Sequence, residues 1–92
     1  MQTLRQKRNM ENTNETKTVE IFSTESCHYC HLAKEWFDAN DIKYIDHNVR
    51  EDREQGARAV EISGQMGVPV ILIGNDVVVG FNEEKLKELL GK

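Results

Sequence analysis

From Thr18 onward, apolar and polar positions follow a regular succession of spacings. Thr18-Val-Glu-Ile-Phe-Ser23 is short, β-branched and partly alternating, and it predicts a strand. After the polar break Thr24-Glu-Ser26, the residues Leu32, Ala33, Trp36 and Phe37 recur at i, i+1, i+4 and i+5. That spacing predicts a helix from near Cys27 to about Asn40-Asp41, with one apolar face toward a core. Ile42 to Val49 reads as a second strand, and a helix crossing between two strands implies a parallel, right-handed pairing. Glu51 to Ile62 predicts another helix, interrupted by Gly56, with Ala57, Ala59, Val60 and Ile62 available to pack. Val68 to Ile73 is the most apolar run, as expected of a central strand buried on both faces. A turn at Gly74-Asn75-Asp76 precedes Val77-Val-Val79 at hairpin spacing. Asn82 is placed to cap a last helix with Glu83 and Glu84 in its first turn, Leu86, Leu89 and Leu90 on its face, and Gly91 at its end. The order β-α-β-α-β-β-α predicts one α/β layer sandwich without internal repeat.

Residues 1–17 break this pattern. They are rich in Asn, Gln, Thr, Lys and Arg, with Leu4 and two Met as the large apolar side chains, and are expected to be a disordered or frayed tail. That leaves 18–92 as a single domain, in keeping with a chain of 92 residues. Arg5, Lys7, Arg8 and Lys17 against Glu11 and Glu15 make the tail basic, so the net charge of −4 understates how acidic the domain is. An acidic domain is a poor partner for nucleic-acid phosphates. No apolar run approaches the ~18–20 residues of a membrane span, and none of the ~7–15 residues of a secretory signal follows Arg8. No membrane partner is expected, and the cytoplasm is the expected location; Glu11 and Glu15 argue against an organellar presequence.

Two cysteines are too few to staple a small secreted fold, and their positions are more telling than their number. Cys27-His-Tyr-Cys30 lies where the first strand gives way to the first helix. A thiol in a first helical turn faces unpaired backbone N–H groups and the positive end of the helix dipole, both of which favour the thiolate. Residues three apart on a helix share a face and can close a disulfide with little backbone movement. The expected roles are Cys27 as nucleophile and Cys30 as the resolving thiol that releases the reduced substrate.

Other chemistries use the same residues. With His31 the string is Cys-x-x-Cys-His, the haem c attachment pattern, which calls for an exported apoprotein. A zinc site would need two more ligands, and only His47 lies outside the motif, so no metal site is expected. A [2Fe–2S] cluster bridged between two copies remains open on spacing alone. Two buried cysteines without redox function fit poorly at a strand-to-helix junction.

The chain from about Thr18 to Gly91 resembles the glutaredoxins, on three blocks: Cys27-His-Tyr-Cys30, Ser63-Gly-Gln-Met-Gly-Val-Pro69, and Val79-Gly-Phe81. The resemblance implies a thioredoxin-like three-layer sandwich with a four-stranded mixed sheet and helices on both faces. It implies that Pro69 follows a cis bond beside the thiols, where the Val68 backbone pairs with the substrate, and that Tyr29, Gly80 and Phe81 border the binding surface. His28 stands where glutaredoxins usually have Pro and, if protonated, would tune Cys27. Gln65 is placed to hold the glycine carboxylate of glutathione. Trp36 and Phe37 are expected in the core, and His47 at the surface.

Two departures matter. Thr24 stands where glutathione-using members carry Lys, and Gly80-Phe81 is followed by Asn82-Glu83 where they carry Gly-Gly and then Asp. Replacing a fixed cation by Thr24 removes a charge-assisted contact worth ~1.5–3 kcal/mol. The Gly-Phe pair resembles the NrdH-type redoxins, which behave like thioredoxin and take electrons from a flavoprotein or ferredoxin-linked disulfide reductase. The expected function is therefore reduction of protein disulfides, ribonucleotide reductase among them, by a monomer without a cofactor. The alternatives are a glutathione-dependent glutaredoxin and a dimeric [2Fe–2S] carrier using Cys27 and glutathione.

Overall fold

In the computed structural model, which describes residues 18–92, seven elements follow the expected order. They are β1 (Val19–Ser23), α1 (His28–Ala39), β2 (Ile45–Asn48), α2 (Arg53–Ser63), β3 (Val70–Ile73), β4 (Asp76–Val79) and α3 (Glu83–Leu90). The expected tail, 1–17, lies outside the described residues. The sheet order is β2-β1-β3-β4, with β1 parallel to β2 and the remaining neighbours antiparallel. This is the four-stranded mixed sheet of a thioredoxin-like fold.

Alternation along the central strands divides the core. Val19 and Ile21 of β1, Ile71 and Ile73 of β3 and Val78 of β4 meet Ala33 and Phe37 of α1 and Leu86 of α3. Their neighbours Phe22 and Val70 point the other way, onto Ala59 of α2. The helices accordingly cover both faces. Each begins at a side-chain cap: Cys27 for α1, Asp52 for α2 and Asn82 for α3. Gly91, in the left-handed region at φ 71°, ends α3 as expected. No described helix is long and apolar enough to cross a membrane.

Several boundaries differ from expectation. The second strand is Ile45–Asn48 rather than 42–49, because the chain leaves α1 through Asp41 at φ 61° while the Ile42 N–H still bonds the Phe37 carbonyl. Ile42 and Tyr44 turn inward onto the α1 and α3 side of the core instead of pairing along β1. The third strand starts at Val70, since Pro69 has no N–H to offer, although its carbonyl still accepts the Gly80 N–H in register with the β3–β4 pairing. Asp76 belongs to β4, paired with Ile73. The second helix is shifted, running from Arg53 to Ser63 behind the Asp52 cap. Phe37 is fully buried, and Trp36 packs half-buried beside it.

His47 is a correction. The sequence places it at the surface; instead its ring stacks on Phe22 at 4.9 Å and its Nε2 donates to Glu20 Oε1 at 2.8 Å. Arg58 of α2 closes the same group with a two-pronged bond to Glu20, at 2.7 and 3.0 Å, and lies over the Phe22 ring. These partners, the Arg58 bond foremost, hold the Glu20 carboxyl down at about 2 against the opposing effect of burial.

Candidate active site

The polar break 24–26 turns the chain from β1 into α1 and places Cys27 at the helix cap with extended backbone. Its Sγ accepts the Cys30 backbone N–H at 3.1 Å, where a serine or aspartate oxygen would ordinarily sit. A contact of this kind gains strength when the sulfur carries charge. Cys30, one turn further, is completely buried. Burial above all, and then contact with Cys27, push its thiol up to about 12, while the Thr24 backbone and the charge of Lys34 act in the opposite sense. Both cysteines are free thiols. The arrangement therefore pairs an accessible sulfur with a covered one that stays protonated at neutral pH.

The second block reaches the first through space. The Cys27 thiol donates to the Val68 carbonyl at 3.8 Å, across 41 positions of sequence, and the Val68–Pro69 bond is cis. Pro69 O then accepts the Gly80 N–H at 2.8 Å, which brings in the third block. Gly80 sits at φ 82°, a conformation that an L side chain adopts only at a cost, although a Cβ there would meet nothing within 4 Å. Backbone conformation, not space, is what requires glycine.

The other expected residues take different places. Tyr29 is 60% exposed and meets the His28 ring edge-on at 5.5 Å. Phe81 packs half-buried against the α1 and α3 side of the core. The Gln65 side chain is folded back on its own loop, Oε1 accepting the Gly67 N–H at 2.6 Å and Nε2 donating to Gly67 O at 3.0 Å.

Three features escaped the sequence reading. His31 Nε2 donates to Glu25 O at 2.7 Å, pinning the loop before Cys27. Met66, two residues from Val68, is 86% exposed, and nothing in the spacing of apolar residues separates it from a core methionine. Beneath the helix, Lys34 pairs with Asp46 at 2.6 Å, and the buried Ser23 hydroxyl donates to the same carboxylate at 2.7 Å. The Lys34 and Ser23 contacts to Asp46 join residues far apart in the chain. His31 to Glu25 is local and is masked by the haem-like pattern that His31 completes. Among the described residues no group of three or more His, Cys, Asp or Glu is arranged to hold a metal ion.

A thiol pair opening a helix thus stands against a cis-proline loop on the four-stranded mixed sheet of a thioredoxin-like fold. The chain belongs to the glutaredoxin family, whose model matches residues 19–78. A glutaredoxin-like 8.6 kDa protein of a rubredoxin operon in Clostridium pasteurianum is 35% identical over 74 residues, covering 80% of this chain and 99% of that protein. A glutaredoxin of Neisseria meningitidis is 36% identical over 69 residues, covering 73% of this chain and 80% of that protein. The crystal structure of the thioredoxin-like protein BC3987 superposes with a TM-score of 0.75 at 29% identity, covering 79% of this chain and 100% of that one. The chain is a glutaredoxin-like thiol–disulfide oxidoreductase.

Proposed function

We propose that the chain reduces protein disulfides, with Cys27 attacking and Cys30 resolving. The observation that carries this reading is the asymmetry of the pair, an accessible Cys27 sulfur with a donated N–H and a fully buried Cys30. Cys27 thiolate attacks one sulfur of the substrate disulfide, whose S–S bond breaks and releases the other sulfur as thiolate. Cys30 then loses its proton and attacks Cys27 Sγ, forming the intramolecular disulfide and releasing the second substrate thiol. Two electrons pass from the dithiol to the substrate, and no cofactor is needed. His28, beside Cys27, tunes the thiolate when protonated. Tyr29 and Phe81 border the surface that receives the substrate, and the Val68 backbone, held by Pro69 and Gly80, pairs with it.

The electron donor in this reading is a flavoprotein or ferredoxin-linked disulfide reductase. Thr24 offers no cation to a glutathione carboxylate, and the Gln65 amide is occupied by Gly67. Ribonucleotide reductase is a substrate consistent with the NrdH-like Gly80-Phe81 pair, and the acidic, monomeric domain works in the cytoplasm. Cys27→Ser is expected to abolish insulin-disulfide reduction, and Cys30→Ser to accumulate a mixed disulfide; full activity of Cys27→Ser refutes the reading. Re-reduction of the oxidised protein by glutathione with its reductase is compared with that by a thioredoxin-type reductase. Efficient turnover with glutathione alone reverses the choice of donor. Charge-transfer absorbance in anaerobically purified protein would favour the [2Fe–2S] carrier.

A further inference from the structure

Val68, whose carbonyl accepts from the Cys27 thiol at 3.8 Å, hangs in a loop, residues 64–69, that belongs to neither α2 nor β3. The loop is fastened at both ends. Gly64 closes α2 through its N–H to Val60 O at 2.7 Å, and Pro69 O holds the Gly80 N–H at the far end. Ser63 Oγ lies 2.6 Å from Ala59 O and 3.0 Å from Gln65 O, which steadies the first turn. Between these points the peptide groups on either side of Gly67 have one fastening among the described residues, the Gln65 amide. It offers an acceptor to the Gly67 N–H and a donor to the Gly67 C=O, as a neighbouring strand would. Gly67 leaves room for it: a Cβ there would lie 2.8 Å from Gln65 Oε1.

We propose that Gln65 is a positioning residue whose side-chain amide clamps Gly67 and so holds the Val68 carbonyl at the height where it meets Cys27 and an incoming protein disulfide. The clamp also explains selectivity within the proposed function, on which it rests. A Gln65 amide that swung out to bind a small-molecule carboxylate would leave the Gly67 C=O without its donor, so engaging such a ligand disorganises the surface that receives a protein.

Two independent substitutions reach the clamp. Gln65→Ala removes it directly. Gly67→Ala expels the amide, because the atom its Cβ meets is the far end of a flexible side chain rather than backbone. With insulin as substrate and dithiothreitol as reductant, each is expected to raise KM about tenfold, the scale of losing two ordinary hydrogen bonds, while kcat changes less than about twofold. The double variant should be no worse than either single one, because both remove the same contact. Gln65→Glu keeps an acceptor for the Gly67 N–H and loses the donor to its carbonyl, so it falls between wild type and Gln65→Ala. Melting temperature reports folding in each case. An unchanged KM in a folded Gln65→Ala variant, or additive losses in the double variant, overturns the clamp. Wild-type chain that fails to reduce insulin overturns the proposed function instead, so the two failures are distinct.

Discussion

The two faces of the sheet are built in different ways. Among the described residues, eight buried apolar side chains on the α1 and α3 side form one continuous cluster. On the α2 side, three buried apolar residues share the space with an ionic group, Glu20 held by Arg58 and His47 over the Phe22 ring. The first face carries Cys27 and Cys30 on α1. The second leads, through the end of α2, into the loop that presents Val68. The site lies at the seam: the helix that Cys27 caps and that carries Cys30 is anchored by non-directional apolar burial through Ala33 and Phe37, and the docking loop by directional polar bonds. Apolar burial is insensitive to pH, whereas an ion-pair network is not.

That contrast can be broken from either side. Phe37→Ala should cost about 3–5 kcal/mol by leaving a cavity under α1, with the same loss in urea melts at pH 4 and pH 7. Glu20→Gln should cost roughly 2 kcal/mol at pH 7, and less as pH falls. Folding lowers the Glu20 carboxyl from 4.5 to about 2, so its contribution is present in full above pH 4.5 and fades as pH falls through about 2. A pH-independent loss in Glu20→Gln would remove the distinction between the faces. Asn82→Ala, which removes the cap bonded to the Lys85 N–H, should cost about 1 kcal/mol by the same melts without altering insulin reduction. The smallest effect is expected at the surface pair Lys87–Glu83, where Lys87→Ala should change stability by ~0.3–0.5 kcal/mol, less in high salt. Iodoacetamide sharpens the picture at the thiols: at pH 8 mass spectrometry should find one alkyl group, on Cys27, because Cys30 is buried and protonated.

Much of the apolar face was legible in the sequence. The helical spacing of Ala33, Trp36 and Phe37 and the alternating Ile71 and Ile73 mark a helix face and a central strand because burial imposes periodicity, although Leu32, expected on the same face, joins neither core cluster. The α2 face was less so. Glu20 alternates with apolar neighbours like any solvent-facing strand residue, and nothing local shows that Arg58 and His47 will cover it. The nearly equal polarity of Ile42 to Val49 likewise conceals that Ile42 and Tyr44 turn into the core before the strand begins.

By itself the sequence determined the order of elements, the caps Asn82 and Gly91, and the placing of a Cys-x-x-Cys pair at the start of a helix, since each depends on neighbours within a few residues. Only the tertiary structure decided that Cys27 meets the Val68 carbonyl, that Pro69 is tied to Gly80, that His47 is covered, and that the Gln65 amide is turned onto Gly67. Most of these join residues far apart in the chain. The Gln65 contact is local, but its direction is set by a loop fastened at both ends to the rest of the fold.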